Sequence, residues 1–226
     1  MVMYMFIVLS SFCISIVQSC SCLWSHPQEE YCTADFAIKA KVLSHRETNP
    51  IDINRGYLVF TVNVSVDYKG LGWKGKTKEI YTGPNEALCG LTSLAKNKEY
   101  ILTGKIKDDK PMIDVCGLNV LYSQVSSAII KGFRKTYRDN CGCKICRFDD
   151  ECGPGDCYLP AFGSYPCYNL QAVCQRACEG HGGEPMCTWN LDKGWWDCMK
   201  KSRYCQLVGS CQLKDTPPSG RRGFNT

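Results

Sequence analysis

The sequence predicts a mainly β chain: a small closed barrel of five strands with short flanking helices, followed by a small disulfide-rich module. Three observations carry that prediction. Five short segments of strand character precede residue 141, with few helical signals between them. The 18 cysteines are distributed unevenly. Cys20, Cys22, Cys32, Cys89, Cys116 and Cys141 are widely spread, whereas eleven more crowd between Cys143 and Cys211. Finally, an apolar leader precedes Cys20, and a leader with many cysteines points to a disulfide scaffold in an oxidising compartment.

Residues 1–19 read as a secretory signal peptide. The apolar run from Met3 to Val17 has the length of a signal core, and Val17 and Ser19 supply the small residues of a cleavage site. The run is short for a membrane span, and Gln18-Ser19 is a poor lipoprotein site. Cleavage after Ser19 would make Cys20 the first mature residue and leave its α-amine free. With the thiol of Cys20 locked in a disulfide and Cys22 as a second anchor, Cys20-Ser21-Cys22 becomes a rigid prong. Its terminal amine and carbonyl, held side by side, form a bidentate chelator for a metal with open positions.

Beyond the prong, Ser25-His26-Pro27-Gln28 has the form of a capping box, predicting a short helix that carries Cys32. Residues 35–43 alternate, with Phe36, Ile38, Ala40 and Val42 on one face and Lys39 and Lys41 on the other. Residues 56–68 repeat the pattern with Leu58, Phe60, Val62, Val64 and Val66. Asn63 lies on the outward face of that strand within an Asn-Val-Ser sequon, a glycosylation candidate. A Gly-rich turn leads to a third strand at 78–82, and Gly83-Pro84-Asn85-Glu86 forces a loop that climbs to Cys89. Residues 100–106 and 112–116 supply the remaining strands, separated by the charged turn 107–110. Ser123 is a candidate cap for a helix with Val125, Ala128 and Ile129 on its apolar face, stopped near Gly132.

After Cys141 no periodicity is strong. Trp189, Trp195 and Trp196 read as a small core beside disulfides in preference to a binding face. The chain divides into a leader (1–19), a barrel domain (20–141), a cysteine-rich module (142–213) and a basic flexible tail (214–226). Cys13 leaves with the leader, and spacing alone does not choose among the pairings of the remaining seventeen cysteines. Cys141-Gly-Cys143-x-x-Cys146, or Cys174-x3-Cys178 with His181, could be written as zinc sites, but in a secreted chain disulfides are expected instead. The formal net charge of +5 suits weak attraction to acidic extracellular matrix polymers and is no nucleic-acid signature. His26, His45 and His181 are too scattered for a catalytic site, and no HExxH or Ser/His/Asp arrangement occurs. The reading is therefore not an enzyme.

Several segments together resemble the tissue inhibitors of metalloproteinases. They are Cys20-Ser21-Cys22 with His26-Pro27-Gln28 and Cys32-x2-Asp35, then residues 38–42, Tyr68-Lys69-Gly70, Cys89-Gly90, residues 99–105, and 132–137 leading into Cys141. The resemblance covers about residues 20–141 and implies an OB-fold barrel of the netrin-like type, with bridges Cys20–Cys89, Cys22–Cys116 and Cys32–Cys141. It weakens beyond Cys141, where it still implies a small Cys152–Cys157 loop.

The function it implies is inhibition of zinc metalloproteases of the matrix metalloproteinase type. The Cys20 amine and carbonyl would enter the open position on the protease's zinc and expel the catalytic water. Ser21 would sit over the specificity pocket, Leu23 and Trp24 would continue along the cleft, and Glu86, Ala87 and Leu88 would approach beside Cys89. No cofactor of its own is implied; the zinc belongs to the target. The alternative is a non-inhibitory netrin-like module that binds matrix or receptors.

Overall fold

The computed structural model describes residues 20, 22, 25–49, 51–52, 56–148, 151–160, 165–177 and 186–201. The leader, Ser21, Leu23, Trp24, His181, Cys178, Cys205, Cys211 and the tail lie outside the described residues.

Five strands close into a barrel. Strand β1 (Phe36–Glu47) pairs antiparallel with both β2 (Leu58–Asp67) and β4 (Glu99–Lys107). β2 pairs with β3 (Thr77–Thr82), and β5 (Lys110–Met112) bridges β3 and β4, so the circuit β1-β2-β3-β5-β4-β1 has no open edge. The β4–β5 hairpin turns at Asp108 and Asp109 with φ of 48° and 59°, a left-handed pair that short acidic side chains tolerate. A sixth strand, β6 (Asn119–Leu121), lies against β4 outside the circuit.

Alternation along these strands sorts two apolar layers. Phe36, Ile38, Ala40, Val42, Phe60, Val62, Val64, Ile80 and Leu102 fill the barrel. Ala37 and Ile101 face the other way and are covered by Tyr31, Tyr68, Ile129, Phe133 and Tyr137. β1 is thus buried on both faces over its first half, and Lys39 survives there by lying over the Tyr122 ring at 3.8 Å and pairing with Glu99 at 3.0 Å. Asn63 is exposed on β2, as its outward phase predicts.

The structure corrects several local expectations. The N-cap of the first helix, α1 (Pro27–Thr33), is His26 and not Ser25: His26 Nδ1 accepts from the Gln28 N–H, and the Glu29 carboxylate accepts from the His26 N–H. An imidazole acceptor replaces the hydroxyl because its Nδ1 reaches the same orphan amide. β5 ends at Met112, short of the predicted 112–116 strand, because the Asp114 carboxylate takes the N–H groups of Cys116 and Gly117 into a turn.

The helix after the barrel is capped by Ser126, not Ser123. It runs as α2 (Ser127–Lys131) into a π-helical turn (Gly132–Thr136) and α3 (Tyr137–Asp139). Gly132 does not stop it. Glycine is needed there because a Cβ would lie 2.2 Å from the Tyr137 ring.

Among its described residues, the C-terminal module contains two small sheets and two helices. β7 (Ile145–Cys146) runs parallel to β8 (Cys157–Tyr158), and β9 (Val173–Arg176) pairs with β10 (Cys187–Asn190). α4 (Tyr165–Gln171) packs on α5 (Lys193–Lys201). Trp195 is buried edge-on to Tyr168 and Trp196, in agreement with the core reading.

Disulfides follow this layout: Cys143–Cys187, Cys146–Cys152, Cys157–Cys174 and Cys167–Cys198. The expected Cys152–Cys157 loop is not formed. Pairing with β7 turns Cys157 into a buried cluster with Ile145, Leu159 and Cys174, where Cys174 is its neighbour, and Cys152 is left to Cys146.

Candidate functional site

In the barrel half the bonds are Cys20–Cys89, Cys22–Cys116 and Cys32–Cys141, with Cα–Cα distances of 5.5, 5.1 and 5.3 Å. The first two fasten the segment preceding α1 to two loops of the barrel. Those loops are themselves joined, since the Val115 N–H donates to the Cys89 carbonyl at 3.1 Å. Cys20, Cys22, Cys89 and Cys116 therefore form one covalently braced edge.

The loop beside Cys20 is held by its own backbone. Asn85 caps a single 3-10 turn (Glu86–Leu88): its Oδ1 accepts from the Leu88 N–H at 3.1 Å, and its carbonyl accepts from the Gly90 N–H at 2.8 Å. Cys89 then adopts a left-handed φ of 59°, which points the chain back toward β3. Buried Thr82 accepts from the Leu91 N–H at 2.9 Å and ties the loop exit to the end of β3.

Gly83 and Gly90 cross in contact. A Cβ on Gly90 would fall 2.0 Å from the Gly83 carbonyl oxygen. With the base pinned in this way, Glu86, Ala87 and Leu88 remain exposed, Leu88 at 50%. Leu88 is thus a large apolar side chain presented to solvent on a turn held by its own backbone bonds. Gly90→Ala is expected to push this loop off its base and to weaken whatever binding uses it by about tenfold or more, roughly 1.4 kcal/mol. The comparison is made at matched folding, checked by circular dichroism.

The structure thus brings Cys20 and Cys22 together with Glu86, Ala87, Leu88 and Cys89. Ser21, Leu23 and Trp24, predicted for the same edge, lie outside the described residues.

Behind this edge, α1 carries a buried polar cluster that sequence reasoning did not assign. Gln28 donates to the Asn140 and Cys174 carbonyls at 3.0 and 2.8 Å, and its Oε1 accepts from the Cys174 N–H at 3.0 Å. His26 Nε2 faces the Tyr168 carbonyl at 3.1 Å, and its ring packs 5.1 Å from Trp189. Burial drives the His26 pKa down to about 4. Glu29 forms a two-pronged ion pair with Arg147, one contact at 3.2 Å between Nη1 and Oε1. The capping pattern at 26–29 locates these residues on a helix, but only the tertiary structure reveals their partners.

Among the described residues the one group with metal-ligand spacing is Cys143, Cys174 and Cys187, whose sulfurs lie within 4.8 Å of one another. All three are in disulfides and offer no thiolate. Cys141 and Cys146 of the other zinc reading are bonded likewise. No helix among the described residues is long and apolar enough to cross a membrane.

The family model described as tissue inhibitor of metalloproteinase matches residues 18–190. That span runs well past Cys141 and takes in most of the C-terminal module. Similar curated proteins include metalloproteinase inhibitor 3 of Scyliorhinus torazame, 31% identical over 140 residues, covering 62% of this chain and 64% of that protein. Metalloproteinase inhibitor 3 of Xenopus laevis is 30% identical over 188 residues, covering 79% and 83%. Human metalloproteinase inhibitor 2 is 30% identical over 168 residues, covering 72% and 73%.

Proposed function

The chain belongs to the tissue inhibitor of metalloproteinase family, and from that premise we propose that it is a secreted, stoichiometric inhibitor of zinc metalloproteases of the matrix metalloproteinase type. The observation that carries the proposal is the braced edge, in which Cys20 is bonded to Cys89 beside the exposed turn 86–88. In a mature chain beginning at Cys20, the α-amine and carbonyl of that residue enter the open position on the target's zinc. The metal is the target's, and this chain supplies two backbone ligands. Leu88 and its neighbours fill the adjoining cleft, and Ser21, Leu23 and Trp24 extend the contact.

Rigidity is the physical reason such an edge can bind tightly. Two disulfides and the Gly83–Gly90 crossing hold Cys20, Cys22 and residues 86–89 before binding, which reduces the ordering cost charged against affinity. Seven disulfides among the described residues support secretion, because such bonds are rare outside oxidising compartments. Acidic matrix polymers remain a second partner class on account of the net charge of +5.

The test is titration of the mature protein against a panel of matrix metalloproteinases, with the N-terminus read by mass spectrometry. One-to-one loss of activity with Cys20 at the terminus is expected. If no protease is inhibited although Cys20 is terminal, the netrin-like matrix- or receptor-binding reading replaces this one.

Chelation also fixes a sign for pH. The amine ligates only when neutral, and its reference pKa is about 8, so affinity falls as pH drops below that value. Between pH 7.5 and 6.5 the inhibition constant is expected to rise by up to about tenfold. The same shift measured with a small zinc-binding inhibitor corrects for the protease's own titration.

A further inference from the structure

Every described disulfide lies on one side of the junction at residues 141–143. Cys20–Cys89, Cys22–Cys116 and Cys32–Cys141 belong to the barrel, and the other four lie within the module. Among the described residues the two parts are therefore held by noncovalent contacts and the chain itself. Many of those contacts converge on one turn of α1, through His26, Gln28 and Glu29. Others are the Arg176 N–H donating to Asn140 Oδ1 at 3.0 Å and Val173 packed against the outer apolar layer.

His26 differs from the rest in being held by both ring nitrogens. Nδ1 accepts the Gln28 N–H and so carries no proton; Nε2 faces the Tyr168 carbonyl and so carries one. Only the neutral ring of that tautomer makes both contacts. A second proton on Nδ1 would point at the Gln28 N–H, placing two donors face to face. It would break the cap of α1 beside the side chain that grips Cys174.

Among the described residues, the charged groups near the ring are Arg147, which opposes a second positive charge, and Glu29 and Glu30 of its own helix. The Glu29 carboxylate is taken by Arg147 and by the His26 N–H, and that of Glu30 by the Ser25 hydroxyl. From the other elements come the neutral rings of Tyr137 and Trp189 and the carbonyls of Tyr168 and Ala172. Among the described residues, both nearby carboxylates are already engaged by other donors, and neither contacts the ring.

We propose that His26 is an acid-operated latch: protonation of its ring releases the C-terminal module from the barrel while the barrel itself stays closed. The barrel can remain shut because its strand circuit and three disulfides do not pass through the latch. Release would uncover Trp189, Tyr168 and the Gln28 cluster, and would change what the module presents to a partner in acidic surroundings. The latch is independent of zinc chelation.

The sign follows from proton counting. The docked ring titrates near 4 and a released ring near 6.5, so release takes up a proton between those values. The docking equilibrium has its full strength above pH 6.5, weakens as pH falls toward 4, and changes no further below that. At pH 5 the docking equilibrium should be weaker than at pH 7.5 by about 30-fold.

Nuclear magnetic resonance on the full mature protein tests this directly. The expected result is a His26 ring that titrates below its ordinary value. As pH falls from 6.5 toward 4 the Cys174 amide should lose protection progressively, about 30-fold by pH 5 after correction for intrinsic exchange. Amides of β2 and β3 should stay protected throughout. His26→Asn, which keeps a cap acceptor that cannot charge, should abolish that loss.

The proposal is overturned if β2 and β3 open together with Cys174, if the loss survives in His26→Asn, or if the ring titrates without any change at Cys174. Should His26→Asn fail to dock at pH 7.5, the wild-type protein decides alone: a ring titrating near 4 together with Cys174 protection that declines between pH 6.5 and 4 supports the latch, and protection that is flat over that range overturns it.

Discussion

One alanine added ahead of Cys20 should raise the inhibition constant against a matrix metalloproteinase by roughly 1,000-fold, about 4 kcal/mol. The extra residue turns the α-amine into an amide, whose nitrogen lone pair is delocalised and cannot ligate a metal. On the proposed chelation mechanism it would also drive a backbone unit into the space where the zinc's water is displaced. The rest of the edge is unchanged, because Cys20 and Cys22 are still bonded to Cys89 and Cys116. Loss of potency at unchanged thermal stability therefore isolates chelation from folding. Equal potency of the two forms would sink the zinc mechanism and leave only occupation of the cleft by residues such as Leu88.

The second large effect concerns stability. Gln28→Ala removes one side chain that satisfies three backbone groups at once: the Asn140 carbonyl, the Cys174 carbonyl and the Cys174 N–H. Gln28 is 1% exposed, so water does not replace it without rearrangement. Leaving buried backbone groups unpaired costs about 1–3 kcal/mol each, and partial relaxation brings the expected total to roughly 3–5 kcal/mol. Urea denaturation followed by tryptophan fluorescence should show the loss, since Trp189 and Trp195 report on the module. A change below about 0.5 kcal/mol would mean that the junction contributes little to holding the module. Gln28→Glu is a useful companion. It keeps an acceptor for the Cys174 N–H but loses both donated bonds, so it should fall as far as alanine or further.

Much of the barrel was legible in the sequence because strand alternation is a local signal. Phe36, Ile38, Ala40 and Val42 announce an inward face, and the same phase recurs at Leu58, Phe60, Val62 and Val64. Ala37 and Ile101 show the limit of that logic. Their faces also became buried, because a helical segment more than twenty residues away folds over them. The short β6 strand escaped notice for a similar reason: Asn119–Leu121 has too few residues to display a period and exists only because β4 offers an edge.

The same division runs through the functional edge. Cys20-Ser21-Cys22, the candidate cleavage site before it and the turn residues from Gly83 to Gly90 are local features, and from them the chemistry of a tethered amine can be inferred. Spacing could not pair the cysteines: resemblance supplied a partner for Cys20, and in the module it suggested Cys152–Cys157 where parallel pairing of β7 and β8 turns Cys157 toward Cys174.

What this sequence determined by itself was the alternation that builds a barrel and the cysteine content that suits an oxidising compartment, together with the expectation that Cys20 would present a free amine. Each depends on neighbours within a few positions or on composition. What only the tertiary structure decided was the contact of Gly83 with Gly90, the inward turn of Cys157, and the meeting of His26 and Gln28 with a module that lies more than a hundred residues onward. Those depend on which surfaces meet when apolar layers close, and no local pattern encodes the partner of a polar group that long-range packing will bury.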